Sequence, residues 1–188
     1  MTQRNYIDWC AGVALAALLL FNAEPAAKAY QQAGGSGHQH PPSSGQGHEA
    51  HHKGVNERGD KVMGFSHEKT AHHFRLKSDG GVIEVETKDA ADTASRDQIR
   101  THLQHIAKKF AAGDFTAPML IHAKTPPGVA VMKQRKAAIQ YAVEETPQGA
   151  RVRISTANAN ARAAIHLFLR FQISDHQTGD STEIEKTF

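Results

Sequence analysis

The sequence predicts an α+β domain in which two helices pack on one face of a four-stranded antiparallel sheet. Two patterns lead to this prediction. Two segments alternate apolar and polar residues around a glycine-containing turn, and a long helical stretch follows each of them. The repeated order suggests a ββα duplication folded as a two-layer sandwich. We expect one domain over residues 63–180, a length that suits a single hydrophobic core.

The first hairpin is predicted by HHFRLK and VIEVET, which flank SDGG. Phe74 and Ile83 belong to apolar rows that alternate with charged residues, so one face of the hairpin should be buried. The same alternation places His72 on the buried face and His73 on the opposite face.

The first helix is predicted by SRDQIRTHLQHIAKKF, which begins with a capping-box pattern at Ser95 and Gln98 and ends before Gly113. Its apolar residues form one helical stripe. They are Ile99, Leu103, Ile106 and Phe110.

The second hairpin is predicted by AIQYAVEE and RVRIST, and NARAAIHLFLRFQIS should form the second helix. The inward residues of this hairpin are Ile139, Tyr141, Val143, Val152 and Ile154. The helix has an apolar stripe, yet Leu167 and Phe171 lie on its other side. We therefore expect both sides of this helix to be covered. The second side is covered either by the apolar segment 115–136, which we favour, or by a homodimer interface.

The first 29 residues have the layout of a secretory signal peptide, with the apolar run CAGVALAALLLF and the small-residue sequence AKA. We therefore expect a periplasmic or secreted protein without stable membrane insertion after cleavage. Residues 30–62 are rich in Gly, Ser, Gln and His and predict a disordered tether. Residues 181–188 are predicted to be a flexible tail.

The composition limits the chemistry. The single cysteine, Cys10, lies in the predicted signal peptide, so the mature chain would have neither disulfides nor thiolate ligands. The net charge of +3, without a long basic run, argues against nucleic acid as a partner. No catalytic residue is predicted, although a histidine paired with Glu144, Glu145 or Asp175 leaves a small hydrolase open.

Because the sequence contains thirteen histidines, metal binding is the first functional hypothesis. The candidate ligands within the domain are His73, His102, His105 and His122, with copper or zinc as the ion. Met119 and Met132, as soft ligands, would favour copper. In the tether, a loose cluster offers weaker capture of Cu(II), Zn(II) or Ni(II); it consists of His38, His40, His48, His51 and His52.

A second candidate site is an anion-binding strip on the second helix, formed by Arg162, His166 and Arg170 at four-residue spacing. Three function classes therefore remain open: a metal-binding or metal-buffering protein, an interaction module that uses its second helix, and a small hydrolase-like enzyme.

Four segments, KTAHHFRLKSDGG, HLQHIAKKF, FTAPMLIHAKTPPG and AIHLFLRFQISDHQTGD, resemble a group of small exported bacterial proteins of unknown function. Some members of that group carry the name aspartate carbamoyltransferase. RISTANA, at residues 153–159, lacks the Ser-Thr-Arg-Thr phosphate loop of that enzyme, so the name is not supported here. The resemblance implies a domain boundary and no catalytic residues.

Overall fold

The computed structural model describes residues 44–185. The predicted signal peptide, residues 30–43 of the predicted tether and residues 186–188 lie outside the described residues. The elements, in chain order, are α1 (Ser44–Met63), β1 (Thr70–Lys77), β2 (Gly80–Thr87), α2 (Thr93–Ala112), α3 (Thr116–His122), α4 (Val129–Gln134), a 3₁₀ turn (Lys136–Ala138), β3 (Gln140–Thr146), β4 (Gly149–Ser155) and α5 (Ala159–His176).

The four strands form one antiparallel sheet in the order β1-β2-β4-β3, which confirms the predicted α+β class. The predicted inward residues are correct, because Phe74, Val85, Val152 and Ile154 are all buried in the core. Helices α2 and α5 contribute their apolar stripes to that same core. Phe168 of α5 lies at its centre and is 1% exposed.

The two hairpins make matching contacts with each other where β2 and β4 pair. The amide of Thr87 donates to the carbonyl of Gln148 at 2.9 Å, and the amide of Thr156 donates to the carbonyl of Asp79 at the same distance. Thr87 is the last residue of β2 and Thr156 directly follows β4, and each acceptor lies in the turn of the other hairpin. The equivalence of these contacts supports the predicted ββα duplication.

Glycine is required where the two hairpins meet. A Cβ atom at Gly80 would lie 2.2 Å from the carbonyl oxygen of Ile154, and one at Gly149 would lie 2.0 Å from that of Val85. These separations are too short for any side chain, so the glycines predicted to make turns also allow the central strands to pair.

The opposite face of the sheet carries a row of ion pairs across all four strands. Arg75 contacts Glu84 at 3.1 Å, Arg151 reaches Glu84 at 3.8 Å, and Arg151 binds Glu144 at 2.7 Å. Glu84 is buried by these neighbours. The sheet therefore has an apolar face and a charged face, as the alternation predicts.

The segment 115–136 folds into α3 and α4 and packs against α5, as favoured from the sequence. A Cβ atom at Gly128 would lie 2.1 Å from the carbonyl oxygen of Ala164, which shows how closely the start of α4 approaches α5. Phe171 is half-buried, with its ring 4.9 Å from that of His122. Leu167 remains 52% exposed.

The structure differs from the predicted tether in residues 44–62, which belong to helix α1. Val55 is fully buried, and the Nε atom of Arg58 donates to the carbonyl of Ile121 at 2.7 Å. Four glycines and no apolar stripe give α1 little intrinsic helical preference, so contacts with α3 and α5 stabilise it. A sequence pattern does not reveal such contacts.

The C-terminal segment also differs from the predicted flexible tail as far as residue 185. Ile184 forms an isolated parallel β-bridge with Leu76, and the amide of Glu185 donates to the carbonyl of Leu76 at 2.9 Å. This segment covers part of the free edge of β1. Within residues 44–185, no helix is both long and apolar enough to cross a bilayer.

Candidate functional site: a histidine pocket

Four histidines from four different elements line one pocket beside the apolar face of the sheet. They are His72 of β1, His102 of α2, His122 of α3 and His176 of α5, and Met63 at the end of α1 joins them. We call this the histidine pocket. Its other walls are Gln172 and apolar side chains, among them Phe74, Ile106, Phe110 and Phe168.

Ordinary secondary-structure geometry places these histidines. His72 lies two residues before Phe74 and therefore shares the inward face of β1. His176 follows Phe168 and Gln172 at four-residue steps, so it continues the buried stripe of α5. The pocket forms where the end of this stripe meets the start of β1.

The histidine rings pack as an aromatic cluster. The centroids of His72 and His176 lie 5.7 Å apart with nearly parallel planes, and those of His122 and His176 lie 4.9 Å apart at 82°. Phe65 stands 6.1 Å from His72 and 5.5 Å from His102. This packing shields the imidazoles from water.

Several polar atoms of the pocket have no partner. The Nε2 atom of His72 is buried without a hydrogen bond, and so is the Nε2 atom of Gln172. The rings of His102 and His176 form no hydrogen bond to any side chain or backbone atom in the described part of the chain. Buried polar atoms are almost always paired, so the unpaired ring nitrogen of His72 is an unusual feature of this pocket.

The environment keeps three of the imidazoles neutral. Burial, reinforced by the neighbouring histidines, lowers the pKa of His72 to about 4 and the pKa of His176 to about 3. Burial also lowers the pKa of His102 to about 4, with a smaller effect from His105. At neutral pH each ring therefore keeps a lone pair that can accept a proton or bind a metal.

His122 differs because both of its nitrogens are engaged. Nδ1 lies 2.6 Å from Oδ2 of Asp175, and Nε2 lies 2.9 Å from Oε1 of Gln172. If the Gln172 amide is turned over, its NH₂ group donates to Nε2 of a neutral ring, and the buried amide nitrogen gains a partner. His122 therefore positions α3 against α5 and is less available as a ligand than the other three.

Asp175 joins three elements just outside the pocket. Its carboxylate also contacts Nε2 of His51 on α1 at 3.0 Å and Nζ of Lys124 at 3.3 Å. Burial acts to raise the pKa of Asp175, but the hydrogen bonds from His122 and His51 outweigh it and hold that pKa below its usual value. This ionised carboxylate fixes α1 beside the pocket.

The pocket is narrow and is lined by no acidic or basic side chain other than histidine among the described residues. Its open volume is about 60 Å³. His102 lies at its mouth, because it also borders two surface clefts that contain His105. A small species can therefore reach the interior past His102.

The structure brings together only part of the predicted metal set. His102 and His122 line the pocket, whereas His105 is exposed and His73 points away and binds Asp180 through Nδ1 at 3.0 Å. His73 lies on the other face of β1, so the four predicted ligands do not line one pocket. Neither Met119 nor Met132 lines the pocket.

Sequence reasoning missed His72, His176 and Met63. The inward position of His72 was visible in the strand alternation, and the spacing of His176 from Phe168 was visible in the helix. Met63 carried no signal, because α1 was expected to be disordered.

The predicted anion strip is already engaged within the protein. His166 is buried, and its Nε2 atom lies 2.9 Å and 3.0 Å from the carbonyl oxygens of Lys77 and Gly80. The Nε atom of Arg170 donates to the carbonyl of Thr182 at 2.9 Å. His166 and Arg170 therefore hold the first hairpin and the C-terminal segment, and an anion site formed together with Arg162 stays a prediction.

Comparisons with known proteins give no relative from which a role could be taken. The chain matches no protein-family model, no curated protein and no solved structure. The resemblance to exported bacterial proteins stays a prediction, and the functional argument rests on the pocket.

Proposed function

We propose that this protein is exported and binds a transition-metal ion in the histidine pocket, as a metal-capturing or metal-buffering protein. The observation that supports this most is the buried, unpartnered Nε2 atom of His72, which shares the pocket with the neutral rings of His102 and His176. Neutral imidazole is among the commonest protein ligands for transition metals.

The size of the pocket favours an ion over an organic ligand. Pockets for small organic molecules have volumes of roughly 300–1,000 Å³. The open volume here, about 60 Å³, suits an ion or about two water molecules.

Binding requires small movements of the rings. No group of three or more His, Cys, Asp or Glu side chains within residues 44–185 already has the arrangement needed to hold a metal ion. Rotation of His102 and His176 would give up aromatic packing contacts but would break no hydrogen bond to a described residue. His72 is fixed by the strand and would serve as the anchor.

Export is part of the proposal on sequence grounds. The apolar run at residues 10–21 and AKA at residues 27–29 support a cleaved signal peptide. The intact mass of protein purified from its native host tests this, and a cytoplasmic chain that retains residues 1–29 would contradict it.

The binding test is a titration of untagged protein with Zn(II) and, under anaerobic conditions, with Cu(I). The parent should bind at least one ion tightly at a single site. The double variant His102→Ala, His176→Ala should lose that site, because two of its neutral ligands are gone.

His105→Ala is the matched control. His105 lies one helical turn from His102 but is exposed. Its loss should leave the tight site intact. Equal affinity in the parent and the double variant would show that surface histidines account for the binding.

A second candidate function is docking through α5. Leu167 of α5 is 52% exposed, so an apolar side chain of this helix remains uncovered. Homodimerisation there predicts that Leu167→Ser converts a dimer into a monomer. A monomeric parent would contradict it.

The hydrolase alternative has less support. His122 and Asp175 form a hydrogen-bonded pair, but the other nitrogen of His122 contacts Gln172. No Ser, Thr or Cys side chain in the described part of the chain hydrogen-bonds to this histidine, so no activated nucleophile is formed.

A further inference from the structure

We infer that the histidine pocket is selective for Cu(I) over divalent ions. This inference rests on the proposed metal binding and specifies the ion. It is supported by the charge of the pocket, by Met63 and by the small number of ligands that can converge.

The charge of the pocket favours a monovalent ion. The described residues that line it include no Asp, Glu, Lys or Arg, and they offer imidazoles, an amide, a thioether and apolar groups. An ion bound by neutral ligands in an apolar site keeps its full charge, and the cost of burying charge rises steeply with its magnitude. A divalent ion therefore loses much more hydration energy here than Cu(I) does.

Asp175 does not make the pocket more favourable for a divalent ion. Its carboxylate lies behind His122 and already contacts that ring, His51 and Lys124. It is not part of the pocket wall. Recruiting it as a ligand for a divalent ion would break the contacts that hold α1 and α3 to α5.

Met63 supplies the soft ligand. Thioethers bind Cu(I) well and contribute little to sites for harder divalent ions. Its unbranched side chain adapts easily to an ion. Because Met63 is the last residue of α1, docking of that helix places its side chain in the wall of the pocket.

The geometry also suits an ion with few ligands. Structural Zn(II) sites are almost always tetrahedral with four ligands, whereas Cu(I) accepts a lower coordination number. His72 with His102 or His176 and with Met63 would form a small set that combines imidazole and thioether, both of which suit Cu(I).

The test compares Cu(I) and Zn(II) on the full chain without an affinity tag. Cu(I) is titrated anaerobically in competition with bicinchoninate, and Zn(II) in competition with a chromophoric zinc chelator. The parent should bind Cu(I) more tightly than Zn(II). Met63→Leu, which keeps the volume and removes the sulfur, should weaken Cu(I) binding by about tenfold or more, since even indirect contacts to a metal typically matter that much. Zn(II) affinity should change little.

Leu120→Met is a control for added sulfur outside the pocket, since Leu120 is exposed and does not line it. It should not alter either affinity. Tighter binding of Zn(II) than Cu(I), or equal Cu(I) affinity in the parent and Met63→Leu, would overturn the selectivity while leaving metal binding intact. Failure of the parent to bind either ion would overturn both.

Discussion

Nδ1 of His122 lies 2.6 Å from Oδ2 of Asp175, and this contact joins α3 to α5 next to the pocket. Oδ1 of the same carboxylate lies 3.0 Å from Nε2 of His51 in α1. One ionised side chain thus organises three helices that are distant in sequence.

Replacing Asp175 with Asn should therefore destabilise the protein and loosen α1. We expect a loss of about 1.5–3 kcal/mol in the free energy of unfolding, the typical contribution of a hydrogen bond to a charged group. Denaturant unfolding measures it. Asp97→Asn is the control, because that carboxylate is exposed and pairs only with its neighbour Arg96. Similar losses in both variants would show that Asp175 does not organise the helices.

The second prediction concerns helix α1. Among the described residues of this helix, Val55 is the only fully buried apolar side chain. Val55→Ala should cost about 1–2 kcal/mol, since about 0.8 kcal/mol is lost for each buried methylene-sized group. It should also speed hydrogen exchange of the α1 amides. Glu57→Ala, at an exposed position of the same helix, should change stability by less than about 0.5 kcal/mol. If Val55→Ala changes neither the stability nor the hydrogen exchange, residues 44–62 would be a disordered tether in solution, as the sequence alone predicts.

Two neighbouring residues of α5 allow a buried core position to be compared with an exposed position. Phe168 is 1% exposed and its neighbour Leu167 is 52% exposed. Phe168→Ala should cost about 3–5 kcal/mol through lost burial and the cavity it leaves. Leu167→Ala should cost much less. Comparable losses would mean that the outward side of α5 is covered in solution.

The sheet and its two main helices could be predicted because their patterns are local. Alternation fixed the inward faces of both hairpins, and the stripe from Ile99 to Phe110 fixed the buried face of α2. Helix α1 could not be predicted, since its stability depends on Val55 and on hydrogen bonds such as that of Arg58 with Ile121, over 60 positions away.

The site was predictable only in part for the same reason. His72 and His176 each follow a local pattern, but no pattern shows that the start of β1 and the end of α5 meet. His73 and His105 have suitable chemistry and spacing, yet they face away from the pocket. Spacing along one element gives a shared direction, whereas convergence depends on the tertiary fold.

The pH dependence of stability gives the last prediction, for the metal-free protein. Folding lowers the pKa of His72 and His102 from 6.5 to about 4, and that of His176 to about 3, chiefly by burial. Between these values the unfolded chain binds protons that the folded chain does not, so stability rises with pH in this window. The stability present above about pH 6.5 should be lost progressively as the pH falls toward 4. The measurement is the midpoint of denaturant unfolding at several pH values. His176→Gln should flatten the curve, because one of the three groups no longer titrates, whereas His105→Ala, at an exposed position, should leave its slope unchanged. A midpoint that stays constant from pH 7 to about pH 4.5 would show that the three rings are hydrated in solution and that the pocket is open to water.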